Sequence, residues 1–276
     1  PNYNHGHCLG RALEAICSQS FPPIEIIVVD DASTDNSLEV IESMMREYPL
    51  IQLVQNEKNM GHLYSEKSSL DLTKGSHFIA WGADDQVLPG FFEKSMNLLA
   101  RYPEAGLCSG GSMTEDENGN NVIGPEPPII SKLPRYFSPD EALKAFLERG
   151  FWFSPVVGIW RKQAVTELGA YPLEAAPYTD LFASYLLALN YGVCFVPEPM
   201  GTLSMGPDQS SSEFTTDPNM YLELIGPMEK LIGGKCSDKF PKEFVEDLKK
   251  KELYAYSSIA LHELKLAQDK CLEHFK

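Results

Sequence analysis

Val28-Val29-Asp30-Asp31-Ala32-Ser33-Thr34-Asp35-Asn36-Ser37 is the stretch that decides the fold. The run from Ile24 to Val29 is apolar apart from Glu25, the composition of a strand buried on both faces. It stops at two carboxylates. A Ser-Thr-Asp-Asn-Ser cluster follows, and then Leu38, Ile41, Met44 and Met45 recur at helical spacing. The pattern predicts a strand, a loop and a helix, with acids at the carboxyl end of the strand, where open α/β sheets bind their ligands. Ser33 or Asp35 alone suffices to cap the helix. Two further acids ahead of the cap point to a ligand.

Working outward, the apolar spacing of Cys8, Leu9, Ala12, Leu13, Ile16 and Cys17 predicts a helix from His7 to Gln19, broken by Phe21-Pro22-Pro23. Beyond the acidic loop, a helix runs to about Tyr48, a strand spans Ile51 to Val54, and Asn56 to Gly61 forms a turn-rich loop. A helix from Leu63 to Leu72 and a strand from His77 to Trp81 come next. That strand runs into Gly82-Ala83-Asp84-Asp85, a second acid pair at a strand end. Alternating strands and helices demand parallel pairing with right-handed crossovers, so both acid pairs open on one edge of the sheet. Together they can grip one cation or one polar ligand.

Composition narrows the partners. The 276 residues are 43% hydrophobic, enough for a substantial core, and the formal charge is −16. Nucleic acids and anionic membrane surfaces both require a basic patch, so neither is expected as a partner. An anionic substrate requires local neutralisation by a metal ion or a few placed cations. The cysteines Cys8, Cys17, Cys108, Cys194, Cys236 and Cys271 form no CxxC pair. They read as reduced thiols of a cytoplasmic protein, peripheral at most to the cytoplasmic membrane face. No apolar run reaches transmembrane length.

Asn2-Tyr3-Asn4, Ile26 to Asp35, Asn59-Met60-Gly61 and Gly82 to Pro89 together resemble family 2 glycosyltransferases of the GT-A fold. Gly169-Ala170-Tyr171-Pro172, Tyr178-Thr179-Asp180-Leu181 and Tyr191 to Pro199 resemble the acceptor half of the same family, carrying the likeness to about residue 205. The resemblance implies an α/β, Rossmann-type, mixed and mostly parallel sheet flanked by helices. The expected glycosyltransferase domain is 1–215, with a nucleotide-binding half at 1–112 and an acceptor half at 113–215, followed by a helical extension over 216–276. The implied activity is inverting transfer of a sugar from a nucleotide-diphosphate sugar, a UDP-sugar first among them, to a hydroxyl of a glycan or lipid-linked glycan. Asp31 with Asp30, Asn2 and Ser33 is implied to hold base and ribose, with Gly61, Lys67 and Asp84 also in the nucleotide-sugar site. Asp84 and Asp85 form a DxD-like pair for Mn²⁺ or Mg²⁺, and Asp180 maps to the general base.

The chemistry suits these residue types: a hard cation on carboxylates offsets diphosphate charge, and a carboxylate takes the acceptor proton. The sequence also departs from the family pattern. Gly82 stands where the first Asp of the motif is usual, Lys67 and Glu66 replace an Asn and an Arg, and Thr179 replaces a Glu. Leu203 to Ser211 lacks the usual Arg and His. These departures keep a second expectation open, a degenerate module that binds a sugar nucleotide or glycan without transfer. Ser138-Pro139-Asp140-Glu141 reads as a helix start. Phe151-Trp152-Phe153 reads as core or, less favoured, a sugar platform. The resemblance finally implies an apolar strand of at least about six residues ahead of Pro1, beside Ile24–Val29. The sheet formed by residues 1–276 is therefore expected to show a gap next to Ile26–Val28.

Overall fold

The computed structural model describes residues 1–116, 121–122, 130–176, 178–205 and 218–250. Most of the polar excursion after Thr114, the late loop beyond Met205 and the tail beyond Lys250 lie outside the described residues. The chain opens with α1 (Gly6–Cys17), β1 (Ile26–Asp30), α2 (Ser37–Glu47), β2 (Ile51–Gln55) and α3 (His62–Leu72). β3 (His77–Phe78), β4 (Gln86–Val87), α4 (Phe91–Arg101) and the long β5 (Leu107–Asp116) follow. The remainder comprises β6 (Asn121–Val122), β7 (Arg135–Phe137), α5 (Pro139–Arg149), β8 (Gly158–Arg161) and α6 (Lys162–Leu168). After these come α7 (Thr179–Tyr191), β9 (Val193–Met205) and α8 (Pro218–Gly233).

This is an α/β fold with mixed strand pairing, and its two longest ladders are parallel. β1 pairs with β2 from Ile26↔Ile51 to Asp30↔Gln55, and β5 pairs with β9 from Leu107↔Val193 to Asp116↔Met205. The larger sheet runs β3-β8-β5-β9-β4, with β6 on β5 and β7 on β9, and its other ladders are antiparallel. One expectation is corrected here. The strand read over 77–81 was to join the first two in a parallel sheet, but β3 is only two residues long and runs antiparallel to β8.

The cause is the gap. Among the described residues β1 and β2 form a sheet of their own, and only Asn2 bridges to β1, in parallel, at Asp30. Between β1 and β3 lies a cavity of about 370 Å³, lined among others by Leu13, Ile26, Val28, Phe78, Ile79 and Trp81. Ile79 to Trp81 face this space instead of extending the β3 ladder. The gap expected beside Ile26–Val28 is therefore present.

Three apolar clusters hold the molecule. Leu9 and Leu13 of α1 pack with Val28, Ile41 and Ile51 around the small sheet. Phe91, Leu98 and Leu99 of α4 cover Cys108, Ile159 and Val196 of the large sheet. The third and largest cluster joins Phe146, Trp152, Phe153, Phe182 and Leu186. Trp152 and Phe153 are at most 1% exposed, so the aromatic run is core and not a sugar platform. Met228, Ile232, Phe240 and Phe244 enter the same cluster, so this part of the chain packs against α5 and α7. The helix start at Ser138 is a full capping box: Ser138 Oγ accepts from the Glu141 amide at 3.3 Å, and Glu141 Oε2 accepts from the Ser138 amide at 3.0 Å.

Candidate active site

The first acidic loop is held by a frame of short hydrogen bonds. Asn2 Nδ2 donates to Asp30 Oδ1 at 2.8 Å, Ser33 Oγ donates to the same oxygen at 2.6 Å, and the Ser33 amide donates to Oδ2 at 3.1 Å. Ala32, at φ +62°, turns the chain where a non-glycine residue is strained. The Asn4 carboxamide oxygen accepts from the Thr34 amide at 2.8 Å. Asp35 accepts from the Gly6 amide at 2.8 Å and the Ser37 amide at 2.9 Å, steadying the first turns of α1 and α2. The Asn2-Tyr3-Asn4 segment is thereby stapled to the loop after β1.

Asp31 anchors the neighbouring loop. Its Oδ1 accepts from Asn56 Nδ2 at 2.7 Å and the Met60 amide at 2.8 Å, and its Oδ2 accepts from the Gly61 amide at 2.7 Å. Burial pushes its carboxyl up, but these donors outweigh burial and hold it below the usual carboxylate range. Gly61 adopts φ +91°, which turns the Gly61 amide onto Asp31 at the start of α3.

The second acid pair follows β3. Asp85 Oδ1 accepts from the Ser204 amide at 2.9 Å, and Ser204 Oγ donates to the Asp84 carbonyl at 2.7 Å, so β9 holds the loop from behind. Gly82 leaves room for the two carboxylates that follow it. A Cβ at Gly82 would lie 2.8 Å from Asp84 Oδ1 and 2.8 Å from Asp85 Oδ2, so both carboxylates close over the space a side chain there would take. Burial and then the Asp84 charge push the Asp85 carboxyl up to about 7, against the Ser204 amide that lowers it. Asp84 and Asp85 would be the residues to hold a magnesium-like ion, since such an ion takes hard carboxylate oxygens. Among the described residues no set of three or more His, Cys, Asp or Glu could cage a metal.

Asp180 enters from the other half, in the first turn of α7, with Oδ1 accepting from the Leu181 amide at 2.7 Å. Burial pushes it up to about 6; the Leu181 amide opposes this and the Glu66 charge adds to it. Asp31, Asp84, Asp85 and Asp180 all line one open crevice of about 650 Å³, together with Asn2 and Gly61.

Three expected site residues stand outside it. Asp30 is 1% exposed, and its oxygens are taken by Asn2 and Ser33; with Ser33 it supports the crevice from behind. Lys67 is a correction: it turns to solvent and pairs with Asp71 one helical turn on, because the neighbouring Glu66 takes the crevice side of α3. Sequence reasoning assigned no role to Glu66, His62 or Tyr171, all of which line the crevice. Their signal was the replacement at Glu66, a carboxylate where the family pattern has a cation.

The sequence profile of glycosyl transferase family 2 matches residues 1–157, more than half of the chain. The uncharacterised protein MT1568 of Mycobacterium tuberculosis is 26% identical over 72% of this chain and 64% of its own length. The uncharacterised glycosyltransferase YwdF of Bacillus subtilis is 25% identical over 81% of this chain and 80% of its own. The chain thus spans just under two thirds of the mycobacterial relative. A crystal structure of TarS from S. aureus in complex with UDP-GlcNAc superposes with a TM-score of 0.66 at 16% identity, covering 90% of this chain and 70% of that one. That likeness is one of fold, the GT-A fold. With the matched profile, it makes this chain a member of glycosyl transferase family 2.

Proposed function

We propose that this protein is an inverting glycosyltransferase that moves a sugar from a nucleoside diphosphate sugar to an acceptor hydroxyl. The observation that carries the reading is the single crevice in which a carboxylate pair from one half, Asp84 and Asp85, faces a lone raised-affinity carboxylate from the other, Asp180. The TarS structure holds UDP-GlcNAc, which favours a uridine donor here.

Asp31 orders the loop that receives the nucleoside, by fixing the Met60 and Gly61 amides. Asp84 and Asp85 hold a divalent cation, which when bound offsets the charge of the departing diphosphate. Asp180 accepts the acceptor hydroxyl proton as the new C–O bond forms and the diphosphate C–O bond breaks. With a proton affinity near pH 6, it is ionised at neutral pH yet basic enough to be an effective acceptor. One base opposite one leaving group is an in-line displacement, so the anomeric centre inverts. The acceptor class is a glycan or a lipid-linked glycan.

The second reading, binding without transfer, is favoured by Gly82 and by the lack of lysine and arginine among the described crevice residues. A product assay across nucleotide sugars with Mn²⁺ separates the two. Transfer abolished in Asp180→Asn, with nucleotide affinity retained, supports the enzyme. Sugar-nucleotide binding with no product from any acceptor supports the binding module.

A further inference from the structure

Glu66 is the acid that the reaction above does not use. It lies on α3, its side chain only 12% exposed, and it lines the crevice with Asp31, Asp84, Asp85 and Asp180. His62 Nε2 lies 3.5 Å from its carboxylate, on an imidazole that is 65% exposed. Tyr171, a residue 7% exposed, also meets Glu66 through its hydroxyl. Burial and then the Glu66 charge drive the Tyr171 proton affinity up, so it keeps its proton and faces the carboxylate as a donor. Asp180 also feels the Glu66 charge across the crevice.

These positions bracket one volume. A sugar in flight stands between the leaving diphosphate at Asp84–Asp85 and the base at Asp180, and Glu66 is within electrostatic reach of Asp180 on the wall of that space. The described lining includes five carboxylates and no lysine or arginine. A carboxylate aimed at a sugar can only accept hydrogen bonds, which hydroxyls supply. A second anion on the sugar would meet like charge in a partly dehydrated space, with no lysine or arginine on the described lining to offset it.

We propose that Glu66 is the specificity residue of this crevice: it accepts a hydrogen bond from a hydroxyl of the transferred sugar, and the crevice takes neutral sugars and rejects sugars bearing a carboxylate. The inference rests on the transferase reading and adds the sugar class to it. Tyr171 is a positioning residue that fixes the Glu66 carboxylate.

Calorimetric titration of the full chain with Mn²⁺ tests it, using UDP, UDP-glucose, UDP-N-acetylglucosamine and UDP-glucuronate. UDP-glucose and UDP-glucuronate differ only in the C6 carboxylate. The tighter neutral donor is expected to bind at least about tenfold more tightly than UDP-glucuronate. Glu66→Gln, which keeps the shape and removes the charge, narrows that gap to about threefold or less and leaves UDP affinity within about twofold. An unchanged thermal midpoint shows that the variant is folded, and Glu66→Asp restores part of the gap. A parent that binds both donors equally, or a gap that persists in Glu66→Gln, overturns the specificity role and leaves the transferase reading standing. A parent that binds none of the four uridine ligands overturns the uridine donor and the specificity role together, and the product assay across other nucleotide sugars then decides the transferase reading.

Discussion

At the scale of single residues, carboxylates with different surroundings take different tasks. Asp31 is held by two amides and a carboxamide, which keep it below the usual range, and serves as an anchor, whereas Asp180 is raised because burial outweighs its backbone donors. A base must be deprotonated to act, and the raised value places its titration near pH 6. Turnover efficiency is therefore expected to fall about tenfold per pH unit below that point and to level off above it. A pH profile of kcat/KM checks this; an acid limb near pH 4 removes Asp180 from the base role. In Glu66→Gln the limb moves to lower pH, because a like charge that disfavours ionisation is gone. Gly82 supplies a second residue-scale prediction. Gly82→Ala puts a methyl 2.8 Å from an oxygen of each carboxylate, so Asp84 and Asp85 must part. The Mn²⁺ concentration that half-supports UDP binding is expected to rise about tenfold, with metal-free binding unchanged.

At the scale of elements, the site is assembled at strand ends and helix starts, where backbone amides lack internal partners. Asp31 draws on that supply at the mouth of α3, and Asp35 at the first turns of α1 and α2. The same economy is testable away from the crevice, at α5. Ser138→Ala removes the hydroxyl of the capping box and is expected to destabilise the fold by about 1 kcal/mol without changing ligand affinity. Denaturant melts measure the first and calorimetry the second. At Gly61 no atom lies within 4 Å of an added Cβ, so Gly61→Ala strains only the backbone at φ +91°. The expected effect is loss of the Gly61 amide bond to Asp31 and weaker nucleotide binding, read by titration with UDP.

At the scale of the whole molecule, α5, α7 and the segment from Met228 to Phe244 share one core. Phe244 stacks against Phe240 and meets Phe146 and Tyr185 edge-on, and it is 4% exposed. Phe244→Ala is expected to lower stability by about 3–5 kcal/mol in a single cooperative transition that also abolishes binding in the crevice. Two separate transitions, with only the first shifted, would show that the last helices fold on their own. The small sheet is the opposite case. β1 touches the rest chiefly through α3 and α2, and the cavity beside Ile26 leaves that flank of β1 without a ladder.

What the amino-acid order determined by itself is the part governed by local rules. Apolar runs ending in Asp30-Asp31 and Asp84-Asp85 marked the two acid loops. The period of Leu181, Phe182, Tyr185 and Leu186 marked the helix that Asp180 opens, and Ser138 with Glu141 marked a cap. All of these stand where the sequence put them. Only the tertiary structure decided which carboxylates face one another, because partners in a crevice are set by packing between segments far apart in the chain. Burial and hydrogen-bond satisfaction then sorted similar residues: Asp30 inward, Asp31 onto a loop, Lys67 to solvent and Glu66 to the crevice. The gap beside Ile26–Val28 was legible in the sequence, but how short β3 would be was decided in three dimensions. A strand exists only where a neighbour supplies its hydrogen bonds, and Ile79 to Trp81, strand-like in sequence, face a cavity instead.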